Sequence, residues 1–176
     1  MKRVILFMVV TFLFVFSKGS FASSIDLDLT SFATDTGVSI SNGVVRFTEN
    51  EAVAIYAYND VFYVPANATS LSYNYSFALG GQGSLDYLVT QLNYTTYVMA
   101  IDYSGSGSFT IDLTPYQGQT ISLAFGLESD SYDDKTLISI AQISNVKMET
   151  TPVPLPTSFL LLGSGLLGVV GIRKKK

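Results

Sequence analysis

Residues 70–79 read Ser-Leu-Ser-Tyr-Asn-Tyr-Ser-Phe-Ala-Leu, with Leu71, Tyr73, Tyr75, Phe77 and Leu79 at alternate places and Ser70, Ser72, Asn74, Ser76 and Ala78 between them. A period of two sends successive side chains to opposite faces of a pleated strand, so this stretch predicts a strand with one wet side. The same alternation recurs along the chain. Val53, Ile55 and Ala57 oppose Ala54, Tyr56 and Tyr58; Tyr97, Met99, Ile101 and Tyr103 oppose Val98, Ala100 and Asp102. Phe109, Ile111 and Leu113 oppose Ser108, Thr110 and Asp112, and Ile121, Leu123, Phe125 and Leu127 oppose Ser122, Ala124, Gly126 and Glu128. A short first strand is expected at residues 25–29.

Turn chemistry separates these runs: Asn42-Gly43, Asn59-Asp60, Gly80-Gly81-Gln82-Gly83, Asn93-Tyr94-Thr95, Ser104-Gly105-Ser106-Gly107 and Pro115-Tyr116-Gln117-Gly118. Asn42-Gly43, between Val38-Ser39-Ile40 and Val44-Val45-Arg46-Phe47-Thr48, suits a tight type I′ hairpin. No stretch between residues 23 and 150 carries an apolar period of 3.6. About eight to ten short strands without helices predict an all-β fold, an antiparallel β-sandwich that is jelly-roll-like, with an immunoglobulin-like sandwich as the alternative.

The two ends differ from this middle. Lys2 and Arg3 precede an apolar stretch at residues 4–16, and Ser20-Phe21-Ala22 places small residues before a cut. Residues 1–22 are therefore expected to be a signal peptide, handed to the Sec translocon and cleaved after Ala22. At the other end, Pro152, Pro154 and Pro156 make residues 151–157 an extended spacer, because proline fixes φ and lacks an amide donor. An uncharged apolar run at residues 158–172 follows, and Arg173, Lys174, Lys175 and Lys176 stop it. A helix of that length covers about 24 Å, close to the roughly 30 Å hydrocarbon core of a bilayer. The cations are expected to stay cytoplasmic, which puts the bulk of the chain on the other side of the inner membrane. The layout is a signal peptide at 1–22, a β-sandwich domain at 23–150, the Pro-rich spacer at 151–157, and a hydrophobic helix with basic tail at 158–176.

The tail, Val153-Pro154-Leu155-Pro156, then a Leu/Gly-rich span, then the basic cluster, resembles the tripartite PEP-CTERM sorting signal of exopolysaccharide-producing Gram-negative bacteria. The commonest motif of that family is Val-Pro-Glu-Pro, and Leu155 stands here where the acid would be. The resemblance implies recognition by an exosortase, removal of the tail, and delivery to the cell surface or extracellular matrix. A permanent single-span anchor is the competing reading of the same residues. The last strands, with Ser144-Asn145-Val146 in the final one, also resemble the closing hairpin of secreted jelly-roll and carbohydrate-binding-module-like domains.

Seven of the ten Lys and Arg lie in the two end segments, leaving Arg46, Lys135 and Lys147 against all fourteen Asp and Glu, so the middle carries −11. Such a body repels nucleic acid and anionic lipid, and accepts cations or a neutral partner such as extracellular polysaccharide. With no His and no Cys, Ser-His-Asp chemistry, thiolate catalysis and cysteine-ligated metal are excluded. Carboxylates alone suffice for a glycan hydrolase or lyase, and Glu49, Glu51, Asp86, Asp102, Asp112 and Glu128 are available for that alternative. Acids on the wet faces of strands also keep a sandwich soluble, and a non-catalytic role is the expectation.

Glu128, Asp130, Asp133 and Asp134 crowd oxygen ligands into one loop, either a site for a hard cation such as Ca²⁺ or a solvated acidic turn. Sugar-binding faces use exposed planar rings, and Tyr56 and Tyr58, opposite the face of Val53 and Ile55, are the candidates for a glycan platform. Aromatics are common in strands for packing alone, so the same two residues also read as packed side chains. Tyr73 and Tyr75 share a face with Leu71 and Phe77 and belong to the core or its rim.

Overall fold

The computed structural model describes residues 23–50, 53–80, 86–101, 104–129 and 138–152. In chain order the strands are β1 (Ser23–Asp26), β2 (Ala33–Thr34), β3 (Val38–Ser41), β4 (Val44–Thr48), β5 (Ala54–Tyr63) and β6 (Ala68–Ala78). They continue with β7 (Asp86–Leu92), β8 (Thr95–Ile101), β9 (Gly105–Asp112), β10 (Thr120–Ser129) and β11 (Ile140–Thr150). One sheet has six strands in the order β3-β4-β11-β6-β9, with β1 also on β11, and the other has five in the order β2-β5-β10-β7-β8. All pairings are antiparallel. The sandwich is one compact unit, Ala22–Thr151.

The alternation at 70–79 does what it requires. Leu71, Tyr73 and Phe77 of β6 are buried, while Asn74, Ser76 and Ala78 are exposed. From the five-stranded sheet, Ile55, Ala57, Leu88, Leu92, Leu123, Phe125 and Leu127 meet them in a single core. Tyr73 joins the two layers: its ring meets that of Phe125 edge-on, centroids 5.4 Å apart, and its hydroxyl shares a 2.5 Å hydrogen bond with Thr90 Oγ1 on β7. Burial pushes the Tyr73 phenol above its ordinary pKa, because only the neutral form is tolerated there.

The hairpin at Asn42-Gly43 has φ of 51° and 72° at its two central residues, the left-handed pair that a type I′ turn demands. In β11 the buried positions are Ala141 and Ile143, then Val146, Met148 and Thr150, so the inward phase slips by one residue. Asn145, with φ 52°, absorbs the slip as a bulge, and the register against β6 breaks between Ser144 and Lys147. The Ser144-Asn145-Val146 of the last strand is thus the place where one strand is re-aimed to keep both halves facing the core.

Four expectations need correction. The first strand is Ser23–Asp26 and not 25–29, because Asp28 instead caps a single 3₁₀ turn at Leu29–Ser31, accepting from Thr30 N at 2.9 Å and Thr30 Oγ1 at 2.7 Å. Asn59-Asp60 is not a turn: β5 runs on to Tyr63 through a bulge opposite Ser122, with Asn59 Oδ1 accepting from Val61 N at 3.0 Å. Ser104-Gly105-Ser106-Gly107 is mostly strand β9, and Gly107 makes room for Tyr75, whose Oη lies 3.0 Å from where a Cβ would be. Strand β7 was not expected, since its Leu88, Val89, Thr90 and Leu92 are all buried and show no alternation.

Among the described residues no helix is long and apolar enough to cross a membrane. The expected signal peptide with its cut at Ala22, and the expected span and basic tail at 158–176, lie outside the described residues.

Candidate binding face of the five-stranded sheet

Ile55 and Ala57 face the core, so period two turns Tyr56 and Tyr58 of β5 to the outer face, where both are half-buried. The register sets Tyr56 opposite Gly126 and Tyr58 opposite Ala124 on β10, and these in turn opposite Val89 and Gln91 on β7. The central strand thus offers small side chains where its neighbour carries rings.

Gly126 is needed for this arrangement. A Cβ there would sit 2.4 Å from Tyr56 Cε1 and 2.5 Å from Cδ1, so the ring occupies the space that any other residue at 126 would fill. The Tyr56 hydroxyl donates to Glu128 Oε1 at 2.6 Å, and Gln91 Nε2 donates to Tyr56 Oη at 3.3 Å and to Glu128 Oε1 at 3.2 Å. Three strands therefore fix one ring. Burial first, and the Glu128 carboxylate second, push the Tyr56 phenol above its ordinary pKa, so it stays a neutral donor. Tyr58 is flanked across its strand neighbours by the small residues Ala33 and Ala124.

Two further tyrosines on the strands and turns of this sheet are exposed. Tyr63 pairs with Thr120 and is 57% exposed. Tyr94 is 79% exposed at the tip of the β7–β8 hairpin, where Asn93 and Tyr94 have φ of 49° and 68°. A tyrosine in the left-handed region costs about 1 kcal/mol or more relative to glycine, with no burial in return. Ser122 ties these parts together, its Oγ donating to Asp60 Oδ1 at 2.9 Å and its carbonyl accepting from Asn93 N at 2.7 Å. Tyr63 was concealed by the turn expected at Asn59-Asp60, and Tyr94 by being read only as turn chemistry. The signal that could have found Tyr94 is a bulky ring where a two-residue turn prefers glycine.

The other expected site residues are dispersed. Asp112 lies on the six-stranded sheet opposite Ser70, and its Oδ1 accepts from Thr114 N at 2.8 Å, its bonds with Thr114 holding its carboxyl below the usual range. Glu49 Oε2 accepts from Ser139 N at 2.8 Å, and Ser139 Oγ donates to Asp86, which is fully buried. Glu51 and Asp102 lie outside the described residues. Of the oxygen set considered for Ca²⁺, Asp130, Asp133 and Asp134 also lie outside them, and Glu128 is engaged with Tyr56 and Gln91. Among the described residues no group of three or more Asp or Glu could hold a metal ion.

The body ends in a clasp. Thr151 N donates to Asn67 O at 2.8 Å and Asn67 Nδ2 returns a bond to Thr151 O at 2.8 Å, so the chain is held up to the residue before Pro152. Ser23 pairs with Thr150, so both ends of the sandwich leave from the same place. Val153, Pro154, Leu155 and Pro156, and the cations Arg173 to Lys176, follow outside the described residues.

No curated protein matches the sequence. Among solved structures, the agarase AgWH50C is similar at 7% identity and a TM-score of 0.46, over 74% of this chain; the match spans 25% of the agarase. A variant of the family 29 carbohydrate-binding module CBM29-2, complexed with mannohexaose, is similar at 12% identity and a TM-score of 0.42, over 75% of this chain and 93% of that one. The C-terminal family 6 module of LamC, a marine laminarinase from Zobellia galactanivorans, is similar at 15% identity and a TM-score of 0.36, over 69% and 99%. The profile of the PEP-CTERM protein-sorting motif matches residues 152–176, which begin one residue after the Asn67–Thr151 clasp: the chain carries a PEP-CTERM sorting motif at its C-terminal end.

Proposed function

We propose that this is an exported, non-catalytic surface or matrix protein whose sandwich holds neutral glycan on the outer face of its five-stranded sheet. The observation that carries the glycan reading is Tyr56, a ring locked by Gly126 beneath it and by Glu128 and Gln91 at its hydroxyl. Sugar rings pack on aromatic surface and hydrogen-bond to a few fixed polar groups, and a ring already immobilised loses little entropy on binding. Tyr58 adjoins it two residues along β5, about 6.6 Å away at strand spacing. Tyr63 and Tyr94 extend the tract. The acidic body, −11 between the two end segments, disfavours polyanions and leaves neutral polysaccharide as the partner.

The sandwich is of jelly-roll type in this reading. The order β4-β11-β6-β9 facing β5-β10-β7-β8 supports it, as does the way the chain changes sheet at every step from β4 to β11 except between β7 and β8. Export uses the Sec translocon through residues 1–22. The inner membrane then holds an intermediate by residues 158–176 until an exosortase, recognising Val153-Pro154-Leu155-Pro156, removes the tail in a Gram-negative host. The PEP-CTERM motif at 152–176 supports that route.

The test is migration in native gels cast with neutral polysaccharides (cellulose ethers, galactan, mannan, laminarin), alongside release of reducing ends. Retardation by at least one polymer, reduced at least fivefold in Tyr56→Ala and Tyr58→Ala and without new reducing ends, is the expected result. Migration unaffected by all of them removes the glycan reading, and new reducing ends restore the hydrolase alternative.

A further inference from the structure

The sandwich has two unlike flanks. On one, the sheets end in β2 and β3, of two and four residues. On the other they end in β8 and β9, of seven and eight residues, consecutive strands joined by residues 102–104. A terminal strand presents a row of backbone N–H and C=O groups, and soluble proteins usually blunt such edges by keeping them short or by placing lysine or proline on them. The first flank is blunted by length. The second is blunted by neither device: residues 95–112 contain no Lys, Arg or Pro and two of the fourteen acids, Asp102 and Asp112.

Strand β9 is the longer of the two long edges. It reads Gly-Ser-Gly-Ser-Phe-Thr-Ile-Asp, and Ser106, Gly107, Ser108 and Thr110 are exposed. Its partner on the inner side is β6, and among the described residues nothing pairs with its outer side. We propose that β9 is an assembly edge, pairing antiparallel with β9 of a second copy of this chain to fuse two six-stranded sheets into one. The edge is complementary to itself, and charge confines a second copy to it: two bodies of −11 repel over most of their surface, whereas in a pairing centred on Ser108 Asp112 falls opposite Ser104 and no carboxylate faces another.

Parity limits the register. For the wet faces of both sheets to stay on one side, outward residues must pair with outward residues, and the pairing centred on the run 106–110 sets Ser108 opposite Ser108 of the second copy. Ser106 then faces Thr110, and Gly107 faces Phe109, an aromatic laid beside a bare strand glycine. This contact does not depend on the glycan face, which lies on the other sheet.

The chain has no cysteine, so one introduced thiol reports the pairing cleanly. In the full-length chain in neutral detergent, Ser108→Cys is expected to form a covalent dimer under mild oxidation at least tenfold faster than Ser41→Cys on β3. Adding Ser106→Lys and Thr110→Lys to Ser108→Cys should abolish this preference, because like charges are then brought to the paired edge. The unsubstituted chain supplies a second readout that needs no variant: amide exchange in β9 should slow as protein concentration rises, while that in β3 does not. Equal cross-linking at 108 and 41, or β9 exchange independent of concentration, overturns the proposal.

Discussion

Replacing Gly126 by alanine tests the structure where the glycan reading is most exposed. The added methyl would lie 2.4 and 2.5 Å from two carbons of the Tyr56 ring, against the roughly 3.5–4.0 Å at which carbons rest, so the ring must shift by about 1 Å. That displacement carries its hydroxyl from 2.6 Å beyond hydrogen-bond reach of Glu128. A hydrogen bond to a charged group contributes about 1.5–3 kcal/mol, and the half-buried site favours the lower end. Alanine offsets about 0.5–1 kcal/mol of this by restricting the unfolded chain more than glycine does. A net loss of about 1 kcal/mol should follow from Gly126→Ala. In a Tyr56→Ala background neither ring nor hydroxyl remains to be displaced, and only the Val89 Cγ2 contact at 3.2 Å opposes the methyl. There the substitution should range from neutral to stabilising by about 1 kcal/mol. Urea unfolding of the four proteins of this cycle should give a coupling of about 1–2 kcal/mol between the two positions, with polysaccharide retardation lost in all three variants. A coupling below about 0.5 kcal/mol, the ordinary scatter of independent sites, would refute the ring-over-glycine geometry.

Three further outcomes follow from the same structure. Phe125→Ala empties a fully buried site against Phe32 and Tyr73 and should cost about 3–5 kcal/mol in chemical unfolding. Tyr94→Gly should stabilise the protein by about 1 kcal/mol, by relieving φ of 68° on a non-glycine residue, and yet weaken polysaccharide retardation. Tyr56 and Tyr73 both have folded pKa values above the ordinary phenol value, so the folded state binds more protons than the unfolded state in alkali. Stability is therefore unaffected below about pH 9 and falls as pH rises through about 10 and beyond, and Tyr73→Phe should flatten the fall measured by thermal unfolding.

The strands that the sequence announced are those with one wet face. Residues 70–79 alternate because Asn74, Ser76 and Ala78 meet solvent, and β6 falls within two residues of the expected place. Strand β7 was hidden because the outer face of the five-stranded sheet is itself partly covered: Val89 points outward and is still fully buried, so no polar alternation marks it. Glycine misled twice in opposite senses. At Asn42-Gly43 it marks a real left-handed turn, whereas in β9 Gly107 sits in a strand because Tyr75 leans over it. Only the cross-strand register, which composition does not encode, separates these cases. The same holds for the site. Tyr56 and Tyr58 were legible from period two, but the partners that fix Tyr56 come from β7 and β10, 35 and 72 residues away in sequence.

The most direct test of an exported body carrying a removable sorting tail is the intact mass of the protein recovered from the surface and medium of its native host. The expected mass lacks residues 1–22 and everything beyond the Val153-Pro154-Leu155-Pro156 region. A mass that still includes Lys176, found in the membrane fraction, would contradict processing and leave a permanently anchored sandwich in its place.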